Sequence, residues 1–96
     1  MIRHAALFRL SHPKGSEGET RFLEALATLS AIPSVRDFTI SREISPKNAF
    51  DFAVSMTFAD QGAYDAYNVH PLHVTFVQDT WIPEVVEFME HDTVAL

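Results

Sequence analysis

The alternation of apolar and polar positions predicts four β-strands in this chain. Residues 2–10, 35–44, 50–58 and 85–92 follow the two-residue period of a strand with one covered face. The alternation is clearest in the third segment, where one face carries Phe50, Phe52, Val54, Met56 and Phe58. We therefore expect this phenylalanine-rich face to lie beneath helices, and Asp51, Ala53 and Ser55 to lie on the other side of the sheet.

Two helical segments separate these strands. Ser16 followed by Glu19 fits a capping box that opens the first helix, and Phe22, Leu23, Leu26 and Leu29 then form one apolar stripe. Asp60 is placed to cap the second helix, which Pro71 should interrupt and restart, with the new segment running to about Trp81. The order βαββαβ predicts an α+β, ferredoxin-like fold: one domain over residues 1–96, with a four-stranded antiparallel sheet covered by helices on one face.

The sheet face without helices predicts a second copy of the chain as a partner. In the first and third strands this face carries mostly small or mixed side chains: Arg3, Ala5, Leu7, Arg9, Asp51, Ala53, Ser55 and Thr57. Small side chains let another sheet approach closely. In 96 residues, 47% are hydrophobic and eight are Phe, which is a surplus of apolar surface for one small body. We expect a homodimer packed sheet against sheet.

Charge and composition exclude several classes of function. The formal net charge of −6, with scattered Lys and Arg, opposes binding to nucleic acid or to anionic membranes. The chain has no cysteine, and no apolar run approaches the ~18–20 residues of a membrane span. Arg3, His4 and Arg9 interrupt the first apolar segment, so it does not resemble a secretory signal. We expect a soluble, cytoplasmic protein.

The segment from Tyr67 to His73 concentrates the candidate chemistry. His73 follows the proline closely, and the positive end of a helix dipole would favour its neutral form, which a general base requires. The alternative is a core histidine that bonds Tyr67 or a backbone group. His70 and His73 have no third ligand at local spacing, so we expect no metal or cofactor and a capping or packing role for His70. Asp92 is interpreted as structural, and Glu84, Glu87 and Glu90 as solvated or interface residues.

The whole chain resembles the stress-responsive α/β-barrel family, also called Dabb domains. The resemblance rests on Arg3-His4 and Phe8, the Leu26-to-Leu29 helix end, the Ile32-to-Val35 joint, Phe50-Asp51, Phe58, the Tyr67-to-His73 segment, Phe76 and Asp92. It implies a homodimer whose sheets form a barrel and, in some members, an apolar pocket between sheet and helices. One characterised member is a plant polyketide cyclase that closes a ring by aldol condensation. Its catalytic Tyr and His match Tyr67 and His73, and a pocket His matches His4.

The resemblance defines a candidate site and three classes of function. Phe52 stands where the cyclase has a polar His, and Leu26 replaces a larger aromatic residue, so the pocket should be more apolar. Besides the catalytic pair Tyr67 and His73, we expect the pocket to be lined by His4, Phe8, Phe22, Leu26, Phe52, Val54, Met56, His70 and Phe76. The first class is a pocket protein that binds or cyclises an aromatic or polyketide-like molecule. The others are a non-catalytic stress-protective oligomer and a cofactor-free or heme-degrading monooxygenase.

Overall fold

A computed structural model describes residues 1–96 and confirms the predicted ferredoxin-like order. The strands are β1 (Ile2–Leu10), β2 (Arg36–Arg42), β3 (Phe52–Phe58) and β4 (Val85–Thr93). The helices are α1 (Glu17–Ala27), α2 (Gln61–Val69), α3 (Pro71–Phe76) and the short α4 (Ile82–Glu84). A 3₁₀ turn at Thr28–Ala31 extends α1, and a wide π turn at Val77–Trp81 joins α3 to α4.

The four strands form one antiparallel sheet in the order β2-β3-β1-β4. The two middle strands pair with His4 opposite Met56 and Phe8 opposite Phe52. The edge strand β4 pairs with β1 so that Asp92 lies opposite His4 and Glu90 opposite Ala6. This register brings the C-terminal residues of the chain beside its first histidine.

The core lies between the helices and the predicted phenylalanine-rich face. Phe52, Val54, Met56 and Phe58 are all buried, as the alternation in this segment predicted. They pack with β1 and α1 side chains, and the Phe8 ring lies 5.6 Å from that of Phe22. Packing on this scale fixes the position of β1, and therefore of His4, against the helices.

The second and third strands are shorter than the alternation suggested. Strand β2 ends at Arg42 and β3 begins at Phe52, which leaves Phe50 half-buried before the strand. Polar side chains between them bond neighbouring backbone instead: Glu43 and Asn48 accept from the amides of Ser45 and Phe50. Such local side-chain bonds compete with the backbone hydrogen bonds between strands and favour a turn.

Strand β4 is the least covered element. Eight of its nine residues are exposed, and Val86, Phe88 and Met89 are among the exposed large apolar side chains. On the helix-free face of the sheet, by contrast, Ala5 and Thr57 are already buried within one chain. The outer edge of β4 pairs with no other strand, so its backbone hydrogen-bonding groups and its exposed apolar side chains are open to a partner.

Candidate functional site

Two helix caps set the geometry of the Tyr67-to-His73 segment. The Asp60 side chain accepts a hydrogen bond from the Ala63 amide and starts α2. Pro71 occupies the first turn of α3, and His70 Nδ1 accepts from the Leu72 amide at 3.1 Å. The His70 side chain therefore caps α3, in line with the capping role expected from the sequence, and its Nδ1 is occupied by the backbone.

The break between α2 and α3 places Tyr67 against His73. Their ring centroids lie 4.2 Å apart at an interplanar angle of 38°. His73 Nδ1 lies 3.0 Å from the Asn68 carbonyl oxygen, which can only accept, so Nδ1 carries the proton. The basic lone pair of a neutral His73 is therefore on Nε2, which has no protein partner. The Tyr67 hydroxyl likewise makes no hydrogen bond within the protein.

The surroundings favour neutral forms of both side chains. Burial lowers the pKa of His73 from its usual 6.5, the nearby His4 lowers it further, and the Asn68 bond and Glu90 oppose this shift. Burial and the charge of Glu90 raise the pKa of Tyr67 well above its usual value. At neutral pH the site therefore presents a neutral imidazole and a protonated phenol. Burial, rather than the helix dipole invoked above, is the main cause for His73.

Both side chains line one cavity of about 500 Å³ between the sheet and the helices. Its walls come from β1, β3, β4, α1 with the 3₁₀ turn after it, α2 and the α3–α4 region. Eleven of its fourteen lining residues are hydrophobic, and the full set is His4, Ala6, Leu26, Leu29, Val54, Tyr67, His73, Phe76, Val77, Trp81, Ile82, Val85, Phe88 and Glu90. A cavity of this size and polarity suits a small organic ligand.

His4 forms a second polar group at this cavity, together with Asp92 and Tyr64. His4 is buried, and its Nδ1 lies 2.6 Å from Asp92 Oδ1. The Tyr64 hydroxyl donates to Asp92 Oδ2 at 2.9 Å and lies 2.9 Å from His4 Nδ1. Burial and the bond to Asp92 raise the pKa of Tyr64, so it stays a donor. A carboxylate on Nδ1 fixes the tautomer and leaves Nε2 as the acceptor.

The structure brings together some of the residues named from the sequence and not others. His4, Leu26, Val54, Tyr67, His73 and Phe76 line the cavity. Phe8, Phe22, Phe52 and Met56 do not; they are packed in the core behind it. His70 is also absent from the wall because its ring caps α3. No group of three or more His, Asp or Glu side chains is arranged to hold a metal ion.

Three polar residues of this region were not among the candidate site residues chosen from the sequence. Tyr64 lies one helical turn before Tyr67, on the same face of α2, and that spacing was a usable signal. Asp92 was placed in a structural role, and Glu90 was placed in solvent or an interface. Only the β1–β4 register shows that both face the cavity side, opposite Ala6 and His4. No local pattern in the sequence specifies that register.

The fold and cavity define a class of protein: a ferredoxin-like α+β domain with a pocket between sheet and helices. The family model of the stress responsive A/B barrel domain matches residues 2–95, and the chain belongs to this family, Dabb. No helix is long and apolar enough to span a membrane. No curated protein matches the chain.

Solved structures similar to this chain include one at high sequence identity. A Dabb family protein with a ferredoxin-like fold from Mesorhizobium loti is 52% identical, with a TM-score of 0.96 over 99% of this chain and 96% of that one. A dimeric ferredoxin-like protein of unknown function from Thermobifida fusca is 24% identical (TM-score 0.81, 98% and 90% covered). The hydroxynitrile lyase from Passiflora edulis is 14% identical (TM-score 0.86, 99% and 93% covered). The last two likenesses show the fold alone.

Proposed function

We propose that this protein is a homodimeric small-molecule-binding domain whose cavity carries out His/Tyr acid–base chemistry on an aromatic or polyketide-like carbonyl compound. The observation that carries the proposal is the pairing of Tyr67 and His73, whose ring centroids are 4.2 Å apart, on one largely apolar cavity. His73 Nε2 removes a proton from the carbon next to the carbonyl. The Tyr67 hydroxyl donates a hydrogen bond to the oxygen that becomes the enolate.

This step balances without a cofactor. The C–H electron pair moves into the carbon–carbon bond of the enolate, the carbonyl electrons move onto oxygen, and the proton stays on His73. The enolate carbon can then attack a second carbonyl of the same molecule, as in an intramolecular aldol closure. The imidazolium returns a proton to the new alkoxide.

Proton exchange tests the proposal without knowledge of the natural substrate. We expect the protein in D₂O to speed deuterium incorporation into the methyl group of 2-acetylnaphthalene, followed by proton NMR. His73→Ala should abolish the acceleration, and Tyr67→Phe should reduce it by roughly 10²–10³-fold, the usual cost of losing one oxyanion donor. Acceleration that survives His73→Ala would move the base to His4. Binding without exchange in the wild type would favour a non-catalytic pocket protein.

The homodimer is supported by exposed apolar surface and small residues on the sheet. Val86 and Met89 of β4 are each 51% exposed in the single chain, and Ala5 and Ala53 give the helix-free face small side chains. A sheet-on-sheet contact should bury on the order of 1,200–2,000 Å². Light scattering at micromolar concentration should give about twice the chain mass. Ala53→Arg should split or destabilise the dimer, whereas Ala66→Arg, on the exposed side of α2, should not. A wild-type monomer would refute the barrel.

A further inference from the structure

Glu90 is the only acidic residue in the wall of the cavity. Besides the Tyr67 hydroxyl, the polar groups of the wall belong to His4, His73 and Glu90, and no Lys or Arg lines the cavity. The wall therefore offers a phenol, two imidazoles and one carboxylate, but no Lys or Arg cation. A ligand that enters this space meets one fixed charge, and that charge is negative.

Glu90 also differs from the other acidic residues near it in having no partner. Glu84 bonds His12, Glu87 pairs with Arg9 at 3.3 Å, and Asp92 bonds His4 and Tyr64. Glu90 makes neither an ion pair nor a hydrogen bond within the chain. The charge of Glu90 contributes to the raised pKa of Tyr67 and opposes the lowering of that of His73, so it acts on both side chains.

We propose that Glu90 determines specificity by making the cavity admit uncharged aromatic carbonyl compounds and reject those that carry a carboxylate. The inference rests on the proposed function of the same cavity and names its substrate class. An anionic ligand would lose its hydration in an apolar space, find no cation, and be repelled by Glu90. A neutral ketone of the same shape meets none of these costs. Heme, with its two propionates, belongs to the rejected class.

A pair of matched ligands tests this selection. 2-Acetylnaphthalene and 2-naphthoate share their ring system and differ in a methyl group against a charged oxygen. Isothermal titration calorimetry should show 2-naphthoate binding at least about tenfold more weakly at low salt, about 1.4 kcal/mol. Glu90→Gln should close most of this gap. Glu87→Gln, which removes the same charge from the opposite face of β4, should leave the gap unchanged.

The outcomes separate this inference from the function on which it rests. Added salt should narrow the gap in the wild type, because part of it is Coulombic repulsion from an exposed carboxylate. Equal binding of the two ligands by the wild type, or a gap that persists in Glu90→Gln, would overturn the role of Glu90 and leave the pocket function standing. Failure of the wild type to bind either ligand would overturn both.

Discussion

His4 and Asp92 are 88 positions apart in the chain, yet their side chains lie 2.6 Å from each other. The antiparallel register of β1 and β4 places them directly opposite, and the Tyr64 hydroxyl closes the group from α2. This contact ties both ends of the chain and a helix to one wall of the cavity.

The first prediction is that Tyr64 and Asp92 act as one unit in stability. A double-mutant cycle with Tyr64→Phe and Asp92→Ala should give a coupling free energy of about 0.5–3 kcal/mol in urea unfolding, because each change removes the hydrogen bond from Tyr64 to Asp92. A cycle pairing Tyr64→Phe with Glu87→Gln serves as the control and should be additive within about 0.5 kcal/mol. Additivity in the first cycle would mean that the contact between Tyr64 and Asp92 does not contribute to the free energy of unfolding.

The second prediction concerns pH. Burial lowers the pKa of His73 below 6.5 in the folded chain, so the unfolded chain binds a proton more readily as the pH falls through 6.5. His73 therefore reduces stability with falling pH over the window from 6.5 down to its folded pKa. The free energy of unfolding should fall less between about pH 7.5 and pH 5.5 in His73→Gln than in the wild type. Identical pH profiles would contradict the depressed pKa.

The third prediction separates the core from the cavity wall. Phe52 is 2% exposed, and Phe52→Ala should cost about 3–5 kcal/mol of unfolding free energy. Phe88 lines the cavity and is 52% exposed, so Phe88→Ala should cost much less and should instead weaken binding of 2-acetylnaphthalene. Chemical denaturation and calorimetry on the two variants decide the matter. A near-neutral Phe52→Ala would place that ring at an open cavity after all.

The fourth prediction uses two glycines. A Cβ at Gly18 would clash with the His12 ring, so Gly18→Ala should displace the ring, break its bond to Glu84 and destabilise the chain. Gly62 lies in α2 with its nearest neighbour at 3.4 Å, and Gly62→Ala should stabilise by about 0.5–1 kcal/mol. Thermal unfolding of both variants provides the comparison. Equal effects on the two melting temperatures would show that a side chain at position 18 does not disturb His12.

Local patterns predicted the elements well because each has its own signal. The Ser16 and Asp60 caps, the break at Pro71 and the alternation through Phe52 to Phe58 all appear in the structure. The pairing of Tyr67 with His73 is also local, because both lie in one seven-residue segment that Pro71 bends. The partners of His4 and the position of Glu90 depend on which strands pair and in what register. Those contacts span most of the chain, and no short pattern encodes them.

Strand β4 supplies Val85, Phe88 and Glu90 to the cavity, although eight of its nine residues are exposed. If the proposed homodimer seats a second chain against this strand, the free energy of self-association also holds one wall of the cavity in place. Ligand occupancy then depends on the total concentration of chains as well as on that of the ligand, by mass action. Such a protein tightens its own binding when it is synthesised in larger amounts and loosens it on dilution, with no change to any residue.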